Sequence, residues 1–206
     1  MARSMTVPNG ADGRHGAPPT DDGASVVDSA GAPVPLDEIV ARASTATRPV
    51  VLIDGRSGTG KTTLAGSLAG ELGAEVVHLD DVYPGWDGLR AASDAVVQEV
   101  LAVPDATGRP RWRRWDWATG LPAEWHVVDV TRPLVVEGCG ALSRGSAPLA
   151  TLRVWLDGDD AVRKARALAR DGATFAREWD RWAAEERAFI AAEDPRSLAD
   201  VVLRLP

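Results

Sequence analysis

Lysine is almost missing from this chain: of 23 cationic residues only Lys61 and Lys164 are lysines, and the rest are arginines. Cysteine occurs once, as Cys139, and tyrosine once, as Tyr83. A lone cysteine excludes an internal disulfide and a cysteine-rich zinc site. No apolar run approaches the roughly 18 residues that a membrane span requires, so no membrane association is expected. The apolar core of a secretory signal is also missing, which points to a cytoplasmic protein. Acidic residues number 30 against the 23 basic ones, a net charge of −7. That balance argues against a surface built to grip nucleic acid. The scarcity of lysine goes with abundant Ala and Gly and reads as base composition. The position of a lysine that is retained is a separate matter.

The 206 residues suit one domain with a full core. Residues 1–35 are crowded with Gly, Pro, Asp, Ser and Ala and show no apolar period, which predicts a disordered tail. The domain is expected over residues 36–206. It opens with an amphipathic helix from Leu36, carrying Ile39, Val40 and Ala43. Five short β-branched runs follow: Val50–Ile53, Val76–Leu79, Leu134–Val136, Leu152–Leu156 and Val201–Leu205. Their near-continuous apolar character suits strands buried on both faces of a parallel sheet. Helical stretches separate them, over 61–72, 89–101, 160–170 and 174–192. In the last of these, Phe175, Trp179, Trp182, Phe189 and Ile190 share one face of a 3.6-residue period. Asp171-Gly172 marks the stop of the helix before it. Strands alternating with helices predict an α/β fold with a parallel sheet.

Directly after the first strand stands Gly55-Arg56-Ser57-Gly58-Thr59-Gly60-Lys61-Thr62-Thr63. It matches G-x-x-x-x-G-K-[ST] at Gly55, Gly60, Lys61 and Thr62, and chance would supply about 0.002 such matches in a chain of this composition. Glycines let the backbone turn its N–H groups inward, and these donors with the helix N-terminus hold phosphates. Ser57, Gly58, Thr59, Gly60 and Thr63 belong to this cradle. Lys61 reaches the outer phosphates as a point charge, and the Thr62 hydroxyl faces Mg²⁺. One of the two lysines thus stands where a flexible cation is wanted.

Three further features surround the cradle. Asp80-Asp81 follow the second strand, at the rim where parallel sheets bind ligands. A carboxylate there can accept or orient a hydroxyl proton. Glu137 ends the third strand and can ligate Mg²⁺ or hold a substrate. Arg163, Arg166 and Arg170 line one helical face and can clamp phosphate oxygens. For each there is a plainer alternative: a capped turn, a surface ion pair, a solvated basic face. Four of the eight tryptophans fall between Trp112 and Trp125, interleaved with arginine. That segment reads as an acceptor pocket, with Arg114, Trp115 and Asp116 contacting substrate, or as packing. Single-strand nucleic-acid stacking is disfavoured by the acidic chain.

Together these motifs resemble the uridine kinase-like branch of the phosphate-loop kinases. The resemblance spans about residues 49–172 and rests on Gly55–Thr63, Asp80-x-x-Tyr83, Val136-Glu137-Gly138 and Arg163-x-x-Arg166-x-x-x-Arg170. It implies a three-layer fold with a five-stranded parallel sheet and a helical lid, ATP as donor, Mg²⁺, and Asp80 as the base for the acceptor hydroxyl. Arg166 and Arg170 take the transition-state charge and Arg163 the nucleotide. Asp81, Tyr83, Trp86 and Glu137 face the acceptor. Val82 stands where an aromatic is usual, and the acidic, His-containing nucleoside segment of uridine kinases is absent. The expected function is therefore an ATP-dependent kinase acting on a hydroxyl of a small molecule. A nucleoside monophosphate kinase and a regulatory ATPase without an acceptor are the alternatives. Acceptor identity and oligomeric state are open.

Overall fold

The structure is a computed structural model that describes residues 27–28, 32–102 and 108–204. The chain enters through a short strand, β1 (Val27–Asp28), and the helix α1 (Leu36–Ala43). Asp37 and Glu38 in the first turn of α1 and Arg42 in its last complement the helix dipole. Strand β2 (Val50–Gly55) then leads through the glycine-rich loop into α2 (Lys61–Leu72). Strand β3 (Glu75–His78) is followed by a 3₁₀ turn over Leu79–Asp81. Helix α3 (Leu89–Ala95) continues into a π-helical turn over Val96–Leu101. Strands β4 (Arg111–Asp116) and β5 (Leu121–Val127) form a hairpin, and β6 (Leu134–Glu137) and β7 (Leu152–Asp157) return to the core. The chain closes with the long α4 (Asp160–Glu193), the short α5 (Pro195–Leu198) and β8 (Val201–Arg204).

The main sheet has six strands in the order β1-β8-β7-β2-β6-β3. The five strands expected from the sequence are all there and pair in parallel. The sixth, β1, adds antiparallel to β8 through Val27 and Asp28. These two residues lie inside the stretch read from composition as a disordered tail, and the structure describes them as an edge strand. Two ladder pairings at a sheet edge supply what composition could not show. Residues 1–26 and 29–31 of that stretch lie outside the described residues.

Alternating side chains of the sheet feed two cores. Val51, Ile53, Val135 and Val154 pack against Ile39 and Ala43 of α1 and Leu64 and Leu68 of α2. Leu52, Val77 and Val136 face α3 and the aromatic stripe of α4, Phe175, Trp179, Trp182 and Phe189. Helices on both faces are what makes the strands apolar throughout. Strand β2 lies between β6 and β7, so the strand order reverses at its C-terminal end. That crevice is where open parallel sheets take ligands.

Helix α4 is one element broken at Gly172, whose φ of 68° and ψ of −155° are not helical. The stop read at Asp171-Gly172 is this break. The Trp-rich segment is the two-stranded hairpin, with a bulge between Arg113 and Trp115. Among the described residues, no helix is long and apolar enough to cross a membrane.

Candidate active site

The loop after β2 curls around the N-terminus of α2. Gly58 has φ +82°, and a Cβ there would lie 2.0 Å from the carbonyl oxygen of Arg163, so only glycine lets α4 begin this close to the loop. The Lys61 side chain is buried over the loop, its Nζ donating to the Arg56 carbonyl at 3.1 Å and to Cys139 Sγ at 3.7 Å. Burial alone would pull this ammonium down. Cys139, Glu137, Asp54 and Asp80 more than offset it, so Lys61 stays charged.

Lys61, Thr62, Asp80, Glu137 and Arg170 line one cleft with Ser57, Gly58, Gly60 and Cys139. Four elements converge there: the loop with the start of α2, the turn after β3, the end of β6 and the first half of α4. Thr62 Oγ1 donates to Glu137 Oε1 at 3.0 Å, and His78 Nδ1 lies 2.7 Å from the same oxygen. Burial pushes Glu137 up, but the His78 hydrogen bond and the Lys61 charge outweigh it and hold the carboxyl below its usual range. Asp80 reaches solvent at the mouth of the cleft. The protein packed around it, and then Glu137, push its carboxyl up, while Lys61 and Arg170 pull it back. Asp81 sits beside it on the same turn.

Oxygen donors, one hydroxyl and one carboxylate beside a phosphate cradle, fit Mg²⁺, which takes few protein ligands and completes its shell with phosphate and water. Among the described residues there is no cluster of three or more His, Cys, Asp or Glu suited to an all-protein metal site.

Several residues expected at the site have other or additional partners. Arg163 is buried behind the loop, its Nε donating to Asp160 at 2.7 Å and its Nη1 to the Ser57 carbonyl at 3.5 Å. Arg166 is exposed one turn before Arg170, and Arg170 itself also pairs with Asp171. Thr59 bonds the Arg56 carbonyl, and Thr63 is exposed on α2. Tyr83 is a core residue whose hydroxyl donates to the Cys139 carbonyl at 2.8 Å. Trp86 joins Trp117, Phe175 and Trp182 in an aromatic cluster. Arg114 pairs with Glu124 across the hairpin, and Asp116 caps its own turn at Ala118.

A second cleft, with about 740 Å³ of space open to solvent, lies between the hairpin and α3. Val82, Pro84, Val96, Trp112, Trp115 and Trp125 give it apolar walls, and Glu99, Arg113 and Arg114 add charge. The hairpin is tied to the first cleft because Trp117 Nε1 donates to the Asp80 carbonyl at 2.8 Å.

Two buried carboxylates were not singled out from sequence. Asp54, 2% exposed, takes N–H bonds from Gly55, Gly140 and Leu142. Burial pushes it up to about 7, against those bonds and Lys61. Glu186, equally buried, accepts from Ser57 N at 2.7 Å. A signal for it was there: Glu186 falls eleven residues after Phe175, on the apolar stripe, where an unpaired charge is not tolerated.

Lys61→Ala is expected to reduce nucleotide binding or turnover by at least about a hundredfold, the cost of a charged transition-state donor. Lys164→Arg is expected to change neither by more than about twofold. Lys164 is exposed with its Nζ 5.3 Å from the Trp179 ring centroid, a contact that arginine also makes. Steady-state kinetics with a nucleotide titration checks both.

Fold and cleft together define a protein of the phosphate-loop kinase fold, and its solved neighbours include kinases of that fold. A possible uridine kinase from Bacillus stearothermophilus superposes with a TM-score of 0.59 at 21% identity, over 81% of this chain and 96% of that one. A candidate fructose transport system kinase from Silicibacter sp. TM1040 gives 0.57 at 20% identity, over 82% and 98%. By sequence the chain is similar to a tRNA dimethylallyltransferase of Rhodospirillum centenum, with 34% identity over 171 residues. That match takes in 75% of this chain but only 48% of the relative, so the chain spans about half its length. No family model matches.

Proposed function

We propose that the protein is an ATP-dependent phosphotransferase that moves the γ-phosphate of ATP to a hydroxyl of a small molecule in the cytoplasm. The observation that carries this is the convergence of Lys61, Thr62, Asp80, Glu137 and Arg170 on one cleft. Backbone N–H groups of the loop and Lys61 hold the donor phosphates. Thr62 and Glu137 would hold Mg²⁺, which when bound neutralises phosphate charge. Asp80 takes or orients the proton of the acceptor hydroxyl, as a carboxylate with a raised pKa is suited to do. Arg170 lines the same cleft from α4 and stabilises charge on the transferring group, with Arg166 one turn away. Catalysis is mainly positioning and charge neutralisation, since the phosphoryl transition state is loose. The hairpin cleft, lined by Val82 and Pro84 just beyond Asp80 in the chain, is the proposed acceptor pocket, with Arg114 and Trp115 on its wall.

A second reading draws on the same two clefts. An aromatic, apolar pocket beside a phosphate cradle also suits a short hydrocarbon carried on a diphosphate, and the sequence relative transfers a dimethylallyl group to tRNA. One screen separates the two. An acceptor library is incubated with MgATP and ADP release is followed, while diphosphate release is followed from dimethylallyl diphosphate with tRNA. ADP release that requires an alcohol supports the kinase. Diphosphate release without ATP turnover overturns it in favour of the second reading.

A further inference from the structure

The rear of the phosphate loop is held by the half of α4 beyond the Gly172 break. Ser57 is bonded twice to that half: Trp182 Nε1 donates to its Oγ at 2.9 Å, and its backbone N–H donates to Glu186 Oε1 at 2.7 Å. Trp182 and Glu186 are one helical turn apart, so one face of α4 grips one loop residue. The other Glu186 oxygen accepts from Arg56 Nε at 3.0 Å and lies 3.7 Å from Arg163 Nη1. Glu186 is 2% exposed, and it lines a small cavity with Asp54, Arg56 and Trp155 rather than the cleft of Lys61 and Asp80. It acts on the loop from the side opposite the phosphates.

We infer that Glu186 is a positioning residue: by taking the Ser57 N–H it turns that donor away from the cleft and sets the curvature with which the following N–H groups, Gly58 to Thr63, present themselves to phosphate. A buried carboxylate needs its partners, and here they are two residues of the loop itself, an arginine at the start of α4 and the Cys139 thiol, whose Sγ donates to Glu186 Oε1 at 3.4 Å. The loop and the two halves of α4 on either side of Gly172 are thereby fastened at one point.

The inference rests on the nucleotide reading only for what the loop holds, and the test separates the two. Charge and geometry predict opposite signs. Removing a negative charge near the phosphates would, through relief of Coulomb repulsion alone, tighten nucleotide binding. Loss of loop curvature weakens it. In the full chain, Glu186→Gln and Glu186→Asp, the second keeping the charge but falling short by one methylene, are expected to weaken MgATP binding about tenfold or more by calorimetry. That is the worth of one charge-assisted hydrogen bond. Amide exchange, measured without ligand, is expected to speed up tenfold or more at Ser57 and to stay unchanged in the interior of α2. Leu203→Ala, a buried change in β8 away from the loop and from the cavity of Glu186, is the stability control: it lowers the melting temperature without moving Ser57 exchange. Wild-type exchange at Ser57 in both Glu186 variants, or MgATP affinity equal to or tighter than wild type, would overturn the inference. Should Glu186→Gln fail to fold, Glu186→Asp decides the matter alone. If the wild-type protein itself does not bind MgATP, the kinase reading falls, and the exchange result still decides the role of Glu186.

Discussion

Asp80→Asn is expected to lower kcat by about a thousandfold, within the range a positioned general base supplies, while MgATP affinity changes by less than about threefold. The reason is the division of labour in the cleft. In the proposed mechanism Lys61 and the loop donors grip the donor phosphates, while Asp80 lines the same cleft from a separate element, the turn after β3. Asparagine keeps the shape and can still accept a hydrogen bond, but it cannot take up a proton. Removing a negative charge from beside the phosphates, if anything, favours binding. The pH dependence has a definite sign. Asp80 must be ionised to act, and its carboxyl is raised above the usual aspartate value by the protein around it and by Glu137. The wild-type kcat/KM should therefore fall on the acid side at a pKa above that of an ordinary aspartate, and the residual activity of Asp80→Asn should lack that limb. Single-turnover kinetics across pH, beside a binding titration, reads both. Unchanged turnover in the variant would remove Asp80 from the mechanism.

Asp54→Ala should cost about 3–5 kcal/mol of folding stability, because three buried N–H groups would lose their acceptor at once. Asp54 is the hinge pin between β2 and the segment after β6. Its carboxylate takes Gly55 N at 2.6 Å, Gly140 N at 3.1 Å on both oxygens and Leu142 N at 2.9 Å. In a domain of this size the loss corresponds to roughly 10 °C in melting temperature. Asp54→Asn keeps one acceptor and should cost less.

The group also imposes a pH dependence. Burial raises the folded pKa to about 7 from 3.8. The native state then binds the proton more tightly than the unfolded chain, so this contribution is fully present below about pH 4. It is lost as pH rises towards 7, by up to about 4 kcal/mol. The stability of wild type relative to Asp54→Asn should accordingly shrink between pH 4 and pH 8. Chemical denaturation of both proteins across that range checks it, and a constant difference would show that Asp54 is ionised throughout.

The parallel strands, the loop and the break at Gly172 were legible in the sequence because each is written locally. A β-branched run buried on both faces has few alternatives. A loop that must cradle phosphate needs glycine and lysine at set intervals. The hairpin was less legible: Arg and Trp alternating over a bulge do not keep a clean two-residue period. Strand β1 could not be read at all, since two residues carry no period.

The roles of the arginines divided in a way that spacing could not foresee. Arg163 and Arg170 are seven residues apart and share a helical face in projection. Yet Arg163 lies where α4 crosses the loop and is drawn inward by Asp160 and Glu186, whereas Arg170 lies two turns farther along and overhangs the cleft. Sequence by itself determined the class of fold and the glycine-rich loop with its lysine, because local backbone chemistry dictates both. Only the tertiary structure decided which carboxylates face the cradle, which one is buried behind it, and that Ser57 is held from the rear by Glu186. Those assignments depend on which distant elements the sheet brings within hydrogen-bonding reach, and no local pattern encodes that.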